Sequence, residues 1–226
     1  MVLAAAYGAA LHALTGQHDL TIGTDVANRK DVDEERLIGF FINQLVLRID
    51  VAGDPTFESL LRRVRTAALA AYSHQDLPFD RLVHALNPRR RAGTAPLFQA
   101  KLVLQNTPAP PRRMGGVLLS VAAEIDTVDF DLILDLTHGR ERLDGWLKFD
   151  PARVEAGTAS WLAARVEGVL NRAAQQPGLR VSELVGDAPS ERSSRRSDAG
   201  RRFRRTGRAA LAGAARRRRV LPGGGA

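Results

Sequence analysis

Histidine is the side chain best suited to acid–base chemistry at neutral pH, because its unperturbed pKa is about 6.5. The chain has five histidines, at positions His12, His18, His74, His84 and His138. No two of them are adjacent, and a single histidine is a weak signal for catalysis. His74 has two interpretations: a general base, or a residue at a helix junction that is hydrogen-bonded near Asp76. We favour the second.

The residue types that the sequence lacks exclude several classes of site. There is no cysteine, so a disulfide framework, a thiolate nucleophile and a thiolate metal site are excluded. The sequence has no glycine-rich nucleotide loop, no HExxH and no GxSxG pattern, which argues against nucleotide binding, zinc proteases and serine hydrolases. We therefore expect neither a bound metal nor a bound cofactor.

The positive charge of the chain is confined to its carboxy-terminal end. Residues 187–226 carry twelve arginines against three acidic residues, and the rest of the chain has twenty-one basic and twenty-two acidic residues. This composition predicts a disordered, arginine-rich tail after a body of residues 1–186. Such a tail could bind nucleic acid through phosphate contacts, but Phe203 is its single aromatic residue, so we expect no nucleic-acid partner.

The pattern of apolar residues predicts several strands with helices inserted between them. The predicted helices are an amino-terminal one that stops at Gly16, one capped by Asp54, one that Pro78 begins and Asn87 ends, and one over residues 159–174. The predicted strands cover residues 20–27, 42–49, 98–104, 117–122, 131–137 and 143–149. This order favours an α+β or α/β two-layer sandwich with a mixed sheet. No apolar run is long enough for a membrane span, and we expect a cytoplasmic protein.

Four segments stand out together by their order and spacing. They are IGTDVANR at residues 22–29, IGFFINQLVLR at 38–48, HQDLPFD at 74–80 and PLFQAKLVLQN at 96–106. In the same order they resemble VGTPVANR, IGFFVNTLVLR, HQDLPFE and PLFQVMFVLQN of the condensation domains of nonribosomal peptide synthetases. The resemblance covers residues 2–184, and its specificity comes from the combination.

The resemblance implies a fold and a reaction. The fold has two lobes, each like chloramphenicol acetyltransferase, that meet in a V with a tunnel between them, and this chain would be the carboxy-terminal lobe. In the reaction, an aminoacyl amine on one carrier protein attacks the acyl thioester on another, and an amide forms. Both substrates ride on phosphopantetheine arms, so the expected partners are carrier proteins and a first, amino-terminal lobe.

The same resemblance marks individual residues. Candidates for the motifs and the tunnel side are Asn43, His74, Asp76, Arg90 and Gln99. Residues expected to support the motifs structurally are Gly39, Phe40, Phe41, Pro78, Phe79, Asp80, Pro96, Phe98, Phe130 and Asp131. Asn43 could add polarity to the tunnel or satisfy buried backbone groups, and we favour the second. We expect Phe79 to pack against the helix that Pro78 begins and Asp80 to cap it.

The family's catalytic motif, HHxxxDG, belongs to the first lobe and is absent from this sequence. The chain also opens inside a helix, which suggests that an upstream lobe is missing. We therefore expect the second lobe of a condensation domain that is inactive alone. One alternative is a split enzyme completed by a separate first-lobe protein. Another is a non-catalytic binding module with a basic, nucleic-acid-binding tail.

Overall fold

The computed structural model describes residues 1–29, 31–88, 94–105, 112–114, 117–119, 129–139 and 142–186. The helices are α1 (Val2–Thr15), α2 (Val32–Glu35), α3 (Phe57–Tyr72), α4 (Phe79–Leu86), α5 (Ala156–Gln175) and α6 (Val181–Val185). The strands are β1 (Asp19–Val26), β2 (Asn43–Asp50), β3 (Ala100–Gln105), β4 (Arg112–Met114), β5 (Val117–Leu119), β6 (Leu132–His138) and β7 (Leu143–Phe149). The predicted tail, residues 187–226, lies outside the described residues.

Five of the strands form one mixed sheet in the order β2-β1-β3-β6-β7. The neighbours β1, β3 and β6 run parallel, whereas β2 and β7 pair antiparallel with β1 and β6 at the two edges. The strands β4 and β5 pair with each other in a separate two-stranded sheet. The predicted mixed sheet with helices packed on it is confirmed.

One row of register partners crosses all five strands and shows which face of the sheet is buried. The row is Leu47, Ile22, Ala100, Leu132 and Phe149, and all of its members belong to the core that α1, α3 and α5 share. Because side chains alternate along a strand, the neighbouring row projects from the opposite face. That row is Val46, Gly23, Lys101, Ile133 and Lys148, and we call its side of the sheet the open face.

Helix α1 is buried on more sides than its apolar stripe predicts. The stripe that the apolar spacing predicts faces the core, but alanines on the other sides of the helix are buried as well. The predicted stripe consists of Leu3, Tyr7, Ala10, Leu11 and Leu14. A methyl group is small enough to let neighbouring helices approach closely, and α1 contacts α3, α5 and α6. Gly16 adopts a left-handed conformation and ends the helix, as predicted.

The cap of α3 differs from the prediction. The helix begins at Phe57, and the hydroxyl of Thr56 accepts the hydrogen bond of Ser59 N–H. Asp54 instead accepts hydrogen bonds from the N–H and the hydroxyl of Ser182, at 2.9 and 2.7 Å, and so ties the start of α3 to α6. A local pattern favours Asp as a cap, but this Asp has a partner 128 residues away.

The other predicted elements agree with the structure to within a few residues where they are described, and residues 120–122 of the predicted strand 117–122 lie outside the described residues. The prediction missed α2, β4 and α6, which are short. No helix in the described parts of the chain is long and apolar enough to cross a membrane.

Candidate functional site

The side chain of Asn43 joins the start of β2 to the connection between α3 and α4. Its Nδ2 donates hydrogen bonds to the carbonyl oxygens of Gln75 and Leu77, at 2.7 and 2.8 Å. Its Oδ1 accepts the N–H of Phe79 at 3.1 Å. Pro78 occupies the N-cap position of α4 without a side-chain cap hydrogen bond. The side chain of Asn43, at the start of β2, caps the helix instead. Asp80 lies in the first turn of α4 and is exposed.

Three phenylalanines form a stack on the open face: Phe79 and Phe98 come from two motif segments, and Phe130 comes from just before β6. Phe98 lies 5.6 Å from Phe79 and 5.0 Å from Phe130 between ring centroids. Phe98 is fully buried, and a Cβ atom at Gly23 would overlap its ring. Gly23 is therefore required by the close approach of this ring to β1. We call Asn43, Phe79, Phe98 and Phe130 the motif cluster.

An ion pair borders the motif cluster on the open face. Lys101 Nζ lies 2.9 Å from Asp25 Oδ2 and 5.2 Å from the centroid of the Phe130 ring. The Lys101 side chain is 11% exposed and that of Asp25 is 25% exposed, so the pair is largely removed from solvent. The second carboxylate oxygen of Asp25 is buried and has no hydrogen-bond partner in the described part of the chain.

The segment before β2 presents apolar side chains to solvent. Ile38 is fully exposed, Phe40 is 88% exposed and Ile42 is 50% exposed. We call these three residues the apolar strip. The ring of the intervening Phe41 lies against Gly39, so a Cβ atom at Gly39 would crowd it.

Arg29 anchors the segment that carries the apolar strip. Its Nη1 donates hydrogen bonds to the carbonyl oxygens of Glu34 and Leu37, and its guanidinium lies 4.4 Å from the centroid of the Phe41 ring. The backbone before the strip is thus anchored while the strip itself faces outward. Such an arrangement presents apolar side chains for a partner at a reduced entropic cost.

His74 and Asp76 lie on the exposed connection after α3. His74 Nδ1 lies 2.9 Å from the carbonyl oxygen of Ala70 and 3.0 Å from the hydroxyl of Ser73. These contacts attach the ring to the end of α3. The geometry holds the imidazole against its own helix, which suits a residue at a helix junction.

The remaining predicted residues surround the start of β3. Gln99 Nε2 donates to the carbonyl oxygen of Ala95 at 3.2 Å and borders a recess shared with Thr15, Asp19 and Arg48. The carbonyl oxygen of Pro96 accepts the N–H of Phe98 at 2.8 Å. Arg90 lies outside the described residues.

Asp131 takes part in a buried cluster that the sequence pattern did not reveal. Arg153 Nη1 contacts Asp131 Oδ1, and its Nε lies 3.3 Å from Asp150 Oδ2. The side chains of Arg153 and Asp131 are only 8% and 3% exposed. Burial raises the pKa of Asp131 above its ordinary value, although the charge and hydrogen bond of Arg153 oppose the rise. Arg153 follows β7 in a connection with no motif, so no sequence signal marked it.

The described side chains are arranged to hold structural elements in position and to make apolar contacts, more than to carry out acid–base chemistry. No group of three or more potential metal ligands exists among the described residues. The motif segments, which are far apart in sequence, converge on the motif cluster beside the apolar strip. The chemistry available here is hydrogen bonding, ring packing and apolar docking.

The chain is similar to known proteins over most of its length. The family model for the condensation domain matches residues 1–193. A dimodular nonribosomal peptide synthase of Bacillus subtilis (strain 168) is 39% identical over 205 residues, which is 88% of this chain and 9% of that protein.

Two solved structures share the fold. The X-domain of teicoplanin biosynthesis, solved in complex with OxyB, is 27% identical with a TM-score of 0.71, and the match covers 81% of this chain and 41% of that one. The condensation domain of the monacolin K polyketide synthase is 25% identical with a TM-score of 0.69, and the match covers 80% and 42%. The chain thus spans less than half of these structures and a small part of the curated relative. With the family model matching most of its length, the chain belongs to the condensation-domain family of nonribosomal peptide synthetases.

Proposed function

We propose that this chain acts as the carboxy-terminal lobe of a condensation domain and that it forms amide bonds only together with a histidine-bearing first lobe. The apolar strip carries this proposal. Exposed apolar side chains on a segment that Arg29 anchors indicate a surface for a protein partner. The strip comes directly before Asn43, so a partner bound there would lie against the motif cluster.

The extent of the structural match supports the assignment to one lobe. The chain covers 41% and 42% of the two solved relatives, a share that one of two similar lobes would give. The sequence has no HHxxxDG motif, and His74 is bound to the end of its own helix. A general base would therefore come from the partner lobe.

In the proposed reaction, the acceptor amine bonds to the carbonyl carbon of the donor thioester and the carbon–sulfur bond breaks. The proton that the amine loses passes through the base of the first lobe to the departing thiolate. Both substrates are carried on phosphopantetheine arms of carrier proteins, and the chain itself binds no cofactor. This chain would supply one wall of the space between the lobes and would hold that wall in position.

A reconstitution experiment tests the proposal. The purified chain is mixed with the first lobe of a related condensation domain and with two carrier proteins bearing an acyl and an aminoacyl thioester. We expect product by mass spectrometry from the mixture and none from the chain alone. Product from the chain alone would refute the need for a first lobe, and failure of first lobes to bind or activate the chain would refute the assignment.

The first lobe could belong to a separate protein, as in a split enzyme. The test is genomic: an open reading frame immediately upstream that ends in a first lobe supports the split arrangement. If the native protein instead carries both lobes in one chain, the split arrangement is wrong and the role of this lobe is unchanged.

The second candidate function is a non-catalytic recruitment module. It is favoured by the likeness to the X-domain, which was solved in complex with OxyB. Titration of OxyB into the chain by calorimetry tests this function directly. Saturable binding without activity in the reconstitution mixture would favour recruitment, whereas reconstituted condensation without OxyB binding would favour the lobe.

A further inference from the structure

Two charged residues stand where the resembled motifs have uncharged ones, and they contact each other. Asp25 stands where the motif VGTPVANR has proline, and Lys101 stands where PLFQVMFVLQN has methionine. The two positions are far apart in sequence, but β1 and β3 are parallel neighbours that place Gly23 opposite Lys101. Asp25 and Lys101 meet diagonally across this pair of strands, with 2.9 Å between Oδ2 and Nζ.

Each of the two charges depends on the other. The lysine side chain is 11% exposed and the aspartate side chain 25% exposed, so neither charge is well solvated. One oxygen of Asp25 is already buried without a hydrogen-bond partner among the described residues. Removal of Lys101 alone would leave a partly desolvated carboxylate without its cation, which is more unfavourable than the loss of both groups.

The pair also contacts the stack that supports Asn43. Lys101 Nζ lies over the Phe130 ring, and Phe130 stacks on Phe98 at 5.0 Å with 20° between the ring planes. Phe98 contacts Phe79, whose N–H is bound by Asn43. A continuous series of contacts therefore leads from the ion pair to the first residue of α4.

We propose that Asp25 and Lys101 are a matched pair of positioning residues that fixes the aromatic stack and, through it, the Asn43–Phe79 contact. The ammonium of Lys101 is held by Asp25 over the face of Phe130, where the negative face of the ring attracts it. The Phe130 ring is then held against Phe98 and Phe98 against Phe79. In the resembled motifs, the uncharged proline and methionine would occupy the same two positions, and the methionine side chain would pack against the ring in place of the ammonium. The arrangement is therefore disturbed when one charge is left without the other, and not when both are absent.

The inference rests on the proposed function at one point only. That function gives a purpose to the segment that is held in position, which is the connection between α3 and α4 beside the apolar strip. The contacts themselves belong to the chain alone. An experiment on the isolated chain can therefore fail without affecting the proposed role as a lobe, and reconstituted condensation can fail without affecting this inference.

Hydrogen exchange of the Phe79 amide, followed by NMR, tests the inference on the full chain. In Lys101→Met we expect this amide to exchange about tenfold faster, beyond any change at core amides of α5 that report global opening. In Asp25→Pro/Lys101→Met, which restores the uncharged pair of the resembled motifs, we expect exchange within about twofold of the wild type. Asp25→Ala/Lys101→Met provides the same comparison without a proline in β1.

The control is Lys148→Met. Lys148 lies in the same row of the open face, two strands from Lys101, and forms a comparable ion pair with Asp135 at 3.1 Å. We expect the exchange of Phe79 relative to α5 to stay unchanged in this variant. If Lys101→Met is too unstable to study, Lys101→Arg keeps the charge and should exchange like the wild type, whereas Asp25→Ala should exchange faster.

Three results would overturn the inference. The first is exchange of Phe79 that follows the α5 amides in every variant. The second is an equal effect of Lys148→Met. The third is failure of both double variants to restore slow exchange, because the two charges would then not act as a pair.

Discussion

The side-chain oxygen of Asn43 accepts the backbone N–H of Phe79, 36 residues further along the chain, at 3.1 Å. The amide nitrogen of the same side chain donates to two carbonyl oxygens of the preceding connection. One asparagine thus binds both the end of a loop and the start of a helix. Because β2 begins at Asn43, this contact fixes α4 relative to the sheet.

Substitution of Asn43 should destabilise the chain. Asn43→Ala removes three hydrogen bonds and leaves half-buried backbone groups to find other partners, so we expect a loss of about 2 kcal/mol in the free energy of unfolding. Asn43→Asp keeps the acceptor for Phe79 but turns a carboxylate toward two carbonyl oxygens, and it should be no more stable than the alanine variant. Urea denaturation measures both, and an Asn43→Ala variant as stable as the wild type would contradict the structural role.

Gly23 should not tolerate a side chain. A Cβ atom there would overlap the buried ring of Phe98, so Gly23→Ala should cost about 1–3 kcal/mol through overpacking. The matched control is Gly157→Ala in α5, where a Cβ atom meets nothing within 4 Å. That substitution should stabilise the chain by about 0.5–1 kcal/mol, because alanine loses less conformational entropy in a helix. Thermal unfolding of the two variants should move in opposite directions.

The apolar strip should matter for association and not for folding. The double variant Ile38→Ser/Phe40→Ser replaces side chains that are almost entirely in solvent, so its free energy of unfolding should change by less than about 0.5 kcal/mol. Its affinity for a first lobe, measured by calorimetry, should fall about tenfold or more. Leu143→Ser, at an exposed position on the edge strand β7, is the control and should keep that affinity.

If Ile38→Ser/Phe40→Ser unfolds more readily than Leu143→Ser, the strip contributes to the fold of the chain itself. If the double variant binds the first lobe as tightly as the wild type, the strip is not the contact surface.

Asp54 should make the fold sensitive to acid. Burial opposes ionisation, but hydrogen bonds from the hydroxyl and N–H of Ser182, with the charge of Arg180, lower the pKa of Asp54 below its ordinary value of 3.8. The unfolded chain therefore takes up this proton first as the pH falls. The stabilisation is present above pH 3.8 and is lost as the pH falls through the lower pKa of the folded state.

Urea denaturation as a function of pH checks this prediction. Asp54→Asn should be less stable than the wild type at neutral pH, and the difference should shrink below pH 3.8. Ser182→Ala should reduce the same difference, because it removes one of the hydrogen bonds to the ionised carboxylate. A constant difference between Asp54→Asn and the wild type at every pH would contradict the assignment.

Local patterns predicted most elements because their physical causes are local. The antiparallel pair β6–β7 follows from two apolar runs around a turn, and α4 follows from apolar residues spaced along one side of a helix between Pro78 and Asn87. The Asp54 cap was wrong because a distant serine competes for its carboxylate. The buried contact of Arg153 with Asp131 could not be predicted, since nothing in either segment indicates that the two would be neighbours.

For the candidate site, too, some features follow from the sequence and others only from the tertiary structure. The sequence by itself determined the family, through four motifs in a fixed order, and it determined that the histidine motif is absent. Only the tertiary structure decided that Asn43 caps α4, that Phe79, Phe98 and Phe130 stack, and that Asp25 neutralises Lys101. These relationships join residues that are distant in the chain. They arise because the parallel order of β1, β3 and β6 brings separate motifs to one face of the sheet, and periodicity within a segment carries no information about that pairing.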